Sequence, residues 1–143
     1  MAKRPTIVKW TENKQFVGTD SGKHSIVISS HDSDNHTGVK PSEMMLLSLG
    51  ACSGYDVVDI IQKKRMGLQD MRIEISSEQD SDPPWTFRKI HMCFYLRGKE
   101  ITEKAAQQAV DLAVNKYCSV AATLAGKAEI TFEIQLDKEE SEN

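Results

Sequence analysis

The sequence predicts an α+β fold, on three observations. Residues from Pro41 to about Lys64 read as one long apolar helix, the segments on either side of it alternate like strands, and the order of elements is strands, long helix, hairpin, helices and a last strand. A sheet can cover one side of the long helix. A chain of 143 residues has little left to cover the other, so a second copy of the chain is expected there. The expected architecture is therefore a long buried central helix packed on an antiparallel sheet.

Each element has its own signal. Between residues 6 and 29, Ile7, Trp10, Phe16, Ile26 and Ile28 fall in strand alternation around the turn-forming Asp20-Ser21-Gly22, which gives two or three antiparallel strands. Residues 31–38 carry His31, Asp32, Asp34 and His36 and read as a solvated polar loop, with a metal site as the lesser alternative. Pro41 suits a first helical turn because its missing N–H has no use there, and Glu43 complements the positive end of the helix. From Met44 to Ala51 the residues are apolar or small at every angle, and Tyr55, Val57, Val58, Ile60 and Ile61 continue the pattern, as in a buried helix. The unbroken apolar run is shorter than the roughly 18 to 20 residues of a membrane span, and Asp56 and Asp59 interrupt the helix beyond it. Gly50, a glycine inside such a helix, marks the close approach of another backbone, taken to be that of the second copy. Gly67 is the expected stop.

Met71, Ile73 and Ile75 then alternate with Arg72, Glu74 and Ser76, and a break at Asp80 to Pro84 leads into a longer strand from about Trp85 to Arg97. In that strand Ile90, Met92, Phe94 and Leu96 share one face, leaving His91, Cys93 and Tyr95 on the other. Residues 102–116 are helical by propensity, with Thr102 as cap and a narrow face of Ala106, Ala109, Val110, Ala113, Val114 and Tyr117. Cys118 to Leu124 reads as a short helix, Ala128 to Leu136 as the last strand, and residues 137–143 as a disordered acidic tail.

Composition bounds the function. With 39% hydrophobic and 27% charged residues the chain is expected to form one domain over residues 1–143. A formal net charge of −3 with mixed signs gives no basic field for nucleic acid. The N-terminal residues have two basic side chains and no apolar stretch behind them, so a cytoplasmic protein without a membrane anchor is expected. Three cysteines, at 52, 93 and 118, form neither a disulfide framework nor a CxxC zinc pair.

Cys93 is most simply a strand residue without chemistry. Cys52 lies inside the apolar helix, and Cys118 stands at the amino end of a short one. Exposed amides there favour a thiolate at Cys118, whereas an apolar surround raises the pKa of Cys52 unless a cation or hydrogen bonds offset it. Position alone reads both as buried structural cysteines before it reads them as reactive.

The segment from Pro41 through Ser48-Leu49-Gly50-Ala51-Cys52, together with Tyr117-Cys118-Ser119-Val120, resembles the paired cysteine motifs of the OsmC/Ohr family, the osmotically inducible and organic-hydroperoxide-resistance proteins. The continuation Asp56-Val57-Val58-Asp59-Ile60 and the stretch Lys116 to Ala121 are most similar to the YhfA-type branch. The resemblance implies an OsmC-like fold, an intertwined homodimer and a thiol-dependent peroxidase acting on organic hydroperoxides. It implies that Cys52 reacts with peroxide and Cys118 resolves the product to a disulfide. A dithiol reductant, lipoyl or thioredoxin-like, would then reset the pair, with no metal or organic cofactor needed. The peroxidases carry a glutamate ten residues before the first cysteine. This chain has Ser42 there, with Glu43 one position later and about 100° away around the helix. Their activating arginine falls in the first hairpin, where this chain offers Lys14, with Lys9 and Arg65 as further cations. Cys52, Cys118, Lys14 and Glu43 are thus the candidate catalytic residues. The competing readings are a non-catalytic protein that binds a small apolar molecule in the dimer crevice and, with little weight, zinc held by His31, His36 and a cysteine.

Overall fold

The computed structural model describes residues 4–137, so the expected tail beyond Asp137 lies outside the described residues. Asp137 itself closes the last strand, paired with Arg97. The chain forms two compact units, one running to Leu46 and one from Leu47.

The first unit is a three-stranded antiparallel sheet: β1 (Ile7–Glu12), β2 (Gln15–Thr19) and β3 (Ser25–Ser29), in that order. Trp10 faces Phe16 and Phe16 faces Ile28 across it. Asp20 makes the second turn by accepting the amides of Gly22 and His24 on Oδ1, at 2.8 and 2.9 Å. Beyond β3, the loop at 31–38 is more than the solvated connection its composition suggests. Asn35 is buried; its amide donates to Asp32 at 2.6 Å, and its Oδ1 accepts the Lys14 N–H at 3.2 Å. Ser29 Oγ, also buried, accepts the amides of Thr37 and Gly38. Short polar side chains thus satisfy backbone groups that no strand supplies.

The long helix α1 runs Pro41–Lys63. Its end is made by Arg65, not Gly67. Arg65 takes the left-handed conformation (φ 55°), its N–H bonds to Gln62 O at 2.9 Å, and the Met66 N–H bonds back to Ile61 O at 3.4 Å. That bond pattern closes a helix through the residue four beyond Ile61 whichever side chain it carries. By length and mean hydropathy, 1.5 over its most apolar window, α1 is long and apolar enough to cross a membrane, although its unbroken apolar run is short. It nonetheless buries Leu49, Gly50, Ser53, Gly54, Val57 and Ile61 within the chain.

That buried stripe lies on a second sheet of order β4-β5-β6, with β4 (Leu68–Gln79), β5 (Phe87–Gly98) and β6 (Glu129–Asp137). The sheet is not antiparallel throughout. β4 and β5 form the expected hairpin, but β6 runs parallel to β5, because the chain returns through the intervening helices as a crossover. The register aligns apolar rows on one face: Ile73, Phe94 and Ile134, then Ile75, Met92 and Phe132. Ile90, Met92, Phe94 and Leu96 are fully buried, as their alternation predicts. Burial of Leu49, Val57 and Ile61 from α1 contributes about 1.5–3 kcal/mol each.

The helix at 102–116 divides in two. Thr102 caps α2 (Glu103–Leu112) through the Ala105 N–H at 3.1 Å, and residues Ala113–Tyr117 then widen into a π-helical turn. The wider turn rotates Tyr117 off the alanine face, where regular helical spacing would put it, and leaves it 53% exposed. A six-residue helix α3 (Ser119–Leu124) follows, with Cys118 as its N-cap.

Gly50 and Gly54 are where α1 meets β4. A Cβ on Gly50 would lie 2.6 Å from Ile75 Cδ1, and one on Gly54 would lie 2.9 Å from Ile73 Cδ1. Gly50 therefore admits an isoleucine side chain of its own chain, and the close approach expected of a second copy's backbone is not what it serves. Gly50→Leu is expected to overpack this contact and destabilise the fold by about 1–3 kcal/mol. Urea unfolding measures it, and an unchanged midpoint would contradict the packing argument.

Candidate active site

Cys52 and Cys118 are 66 positions apart in sequence and meet in the second unit. The azimuth of α1 sets the first of them. At about 100° per residue, Cys52 falls just outside the arc that Leu49, Gly50, Ser53, Gly54, Val57 and Ile61 bury, so it is half-buried while its neighbour Ser53 is fully enclosed. The π-helical turn sets the second. The Cys118 N–H reaches back five residues to Ala113 O at 2.8 Å, after which Cys118 turns extended (φ −72°, ψ 109°) and α3 begins.

The first turn of α3 accounts for the electrostatics. A helix leaves its first N–H groups without intrahelical acceptors. Here Ala121 N–H donates to Cys118 Sγ at 3.3 Å, and Ala122 N–H bonds to Cys118 O at 3.0 Å. The amides of Ser119 and Val120 lower the Cys52 thiol pKa. The Ser119 hydroxyl also stands 3.9 Å from the Cys52 sulfur.

These donors decide which thiol ionises more readily. Burial raises the Cys52 thiol, but hydrogen bonds from the Cys118 thiol, the Val120 amide, and the Ser119 hydroxyl and amide outweigh it, and the net shift is downward. Burial likewise raises Cys118. The Ser53 hydroxyl and the Ala121 amide offset it in part, the charge on Cys52 adds to it, and the net shift is upward. The order is the reverse of that expected from the sequence, because the α3 amides reach across to the other cysteine. Cys118 is 2% exposed, so the thiol of lowered pKa is also the accessible one.

Ser53 completes the cluster. Its hydroxyl acts on the Cys118 sulfur but makes no hydrogen bond of ordinary geometry, an arrangement that costs about 1–3 kcal/mol. Sequence reasoning singles out neither Ser53 nor Ser119. The signal is nonetheless present in the repeated dipeptide, Cys52-Ser53 and Cys118-Ser119.

The remaining candidates belong to the first unit. Lys14 belongs to the first unit, where its N–H meets Asn35, its carbonyl accepts the Ser30 N–H at 3.2 Å, and its ammonium lies 3.4 Å from Asp32. The Ser30 hydroxyl and the Asn35 amide hold the Asp32 carboxyl far below the usual carboxylate range. Glu43 lies 4.0 Å from His31 Nδ1. His31 Nε2 meets the Gly38 carbonyl at 2.9 Å, and its ring lies 4.3 Å from that of His36. No group of three or more metal-ligating side chains occurs among the described residues. On β5, Cys93 pairs in register with Glu74 and Glu133, and burial, then the Glu133 carboxylate, push its thiol up despite a hydrogen bond with Tyr95.

Comparison with known proteins bears on the family and the fold. The family model described as OsmC-like protein matches residues 31–134. Protein YhfA of Escherichia coli K12 is 36% identical over 124 residues, which cover 87% of this chain and 91% of that protein. The OsmC-like protein from Mycoplasma pneumoniae shares the fold at a TM-score of 0.81 and 16% identity, covering 94% of this chain and 97% of that one. The organic hydroperoxide resistance protein OhrB of Bacillus subtilis does so at 0.62 and 17%, covering 94% and 100%.

The opposed shifts predict selective alkylation. Iodoacetamide is expected to modify Cys52 first, with a rate that levels off at lower pH than an ordinary thiol's, while Cys118 reacts only at higher pH. Peptide mapping across a pH series checks it, and preferential labelling of Cys118 near neutrality would reverse the assignment of charge.

Proposed function

Because the chain belongs to the OsmC-like family, we propose that it is a thiol-dependent peroxidase that reduces organic hydroperoxides, with Cys52 as the reacting thiolate and Cys118 as the resolving thiol. The observation that carries this reading is the opposed pair at the start of α3: a half-exposed Cys52 of lowered pKa against a buried Cys118 of raised pKa. The Cys52 thiolate attacks the terminal oxygen of the hydroperoxide, the O–O bond breaks, and an alkoxide leaves and is protonated to the alcohol. The Cys52 sulfenic acid then condenses with Cys118 to a disulfide and water. A dithiol of lipoyl or thioredoxin type returns both thiols. The likeness to OhrB, at 17% identity, supports the fold alone; the thiol pair supports the chemistry.

In this reading Lys14 and Glu43 take the helper places that an arginine and a glutamate hold in the family's peroxidases. Lys14 supplies charge without the planar fork of a guanidinium. The reading also includes a homodimer. Leu47, Ala51 and Tyr55, spaced by four along α1, form an exposed stripe, with Leu47 57% and Tyr55 78% exposed. Ile7, Val8 and Trp10 of β1 are exposed as well. A second copy of the chain is the occupant proposed for these apolar surfaces. Sedimentation at micromolar concentration should return a dimer; a stable folded monomer would remove this part of the reading.

Cumene hydroperoxide added to the reduced protein tests the reaction. A Cys52–Cys118 disulfide is expected by mass spectrometry. Cys52→Ser should abolish peroxide consumption, Cys118→Ser should allow one turnover and accumulate oxidised Cys52, and Cys93→Ser should do neither. Lys14→Arg with Ser42→Glu is expected to react faster than either single change in stopped-flow measurements. No reaction with any hydroperoxide would leave the family's fold serving as a binder of small apolar molecules.

A further inference from the structure

Among the described residues, one fully buried side-chain oxygen lacks a hydrogen-bond partner, and it lies beside the thiol pair. Ser53 is 0% exposed, and its Oγ does not bond even to the carbonyl one turn back along α1, the usual recourse of a helical serine. Instead it acts on the Cys118 sulfur, whose other donor is the Ala121 N–H at 3.3 Å. A thiol sulfur is a weak acceptor, whereas a hydrogen bond to a charged acceptor is about twice as strong as a neutral one. The hydroxyl is therefore poorly partnered while Cys118 is a thiol and well partnered when it is a thiolate.

Resting on the peroxidase reading above, we infer that Ser53 is a positioning residue for the second half of the reaction, placed to receive the negative charge that arises on Cys118 once Cys52 has been oxidised. In the reduced pair Cys52 is the titratable group acting on Cys118, and its charge opposes a second one there. Attack of the Cys52 thiolate on the hydroperoxide forms the S–O bond and breaks the O–O bond, giving neutral sulfenic acid and an alkoxide. The alkoxide takes a proton from water, and the hydroxide so formed takes the proton of the Cys118 thiol. With no charge left on Cys52, the new thiolate is held by the Ser53 hydroxyl and the Ala121 amide. It then attacks the Cys52 sulfur, the S–S bond forms, the S–O bond breaks, and hydroxide departs to be protonated by solvent. Each sulfur is oxidised by one electron equivalent in the disulfide, and the peroxide bond takes up the two electrons.

Ser53→Ala tests this, since alanine fits the space and removes a hydroxyl that makes no bond of good geometry in the resting protein. With cumene hydroperoxide, trapping of the Cys52 sulfenic acid is expected at the wild-type rate, while the disulfide forms about tenfold more slowly, matching a rise of about one unit in the Cys118 pKa. That pKa is read separately, from thiolate absorbance in a Cys52→Ser, Cys93→Ser background with and without Ser53→Ala. An unchanged rate of disulfide formation overturns the role in resolution whatever the titration gives. If the wild-type protein forms no sulfenic acid, the peroxidase reading fails and the titration alone decides. A shift then keeps Ser53 as a donor to Cys118, and an unmoved titration removes it.

Discussion

The close approach of α1 to β4 fixes which side chains of α1 reach the thiol site. Two glycines a turn apart, Gly50 and Gly54, let the side chains of Ile75 and Ile73 press against the helix backbone. A helix seated that way cannot rotate about its axis without driving the Cβ atoms of its other residues into the isoleucine methyl groups. Its azimuth is thereby set, with Ser53 inside and Cys52 at the margin. The interdigitation is a packing constraint, yet its consequence is chemical: it determines which of two adjacent residues meets solvent and which meets Cys118.

The second cysteine is held by a different device. The π-helical turn at Ala113–Tyr117 closes on the Cys118 N–H and ends one helix, so that α3 starts with its unpaired amides at the two sulfurs. A regular α-helix through Tyr117 would have used the Cys118 amide one residue differently and carried the cysteine onto the helix flank. Within the second unit the leading causes that lower the Cys52 thiol are hydrogen bonds. Lys14 is fastened within the first unit by Asn35, Ser30 and Asp32.

Much of this is legible in the sequence, and the rest is hidden for physical reasons. Pro41, the apolar run behind it, the alternation from Ile90 to Leu96 and the capping positions of Thr102 and Cys118 are local signals, and each leads to the element found. The helix stop is misplaced by a search for glycine, because its left-handed residue is Arg65. The π-helical turn leaves no composition behind, so regular spacing assigns Tyr117 to a buried face that it does not share. The order of the two thiol pKa values depends on where the amides of residues 119 and 120 point relative to residue 52, a relation between distant elements that spacing along one helix does not encode. The loop around Asn35 is undervalued for the same reason: the side chains of Asn35 and Ser29 bond to backbone groups well removed from them in sequence.

Acidity and access agree at this site. Two thiols close enough to share a hydrogen bond release their protons in two separated steps, because the first thiolate opposes the second. The first charge goes to the sulfur with more donors, which is Cys52 with two amides, a hydroxyl and the other thiol. It is also the sulfur that a molecule from solvent can reach, since Cys118 is enclosed. An electrophile therefore meets the more readily ionised thiol first, and a charge on Cys52 opposes one on the buried thiol. Exchanging the donors between the two sulfurs would put the thiolate where no substrate can reach it and the exposed sulfur in its unreactive form, so the polarity of the pair follows from the seating of α1 and the first turn of α3 together.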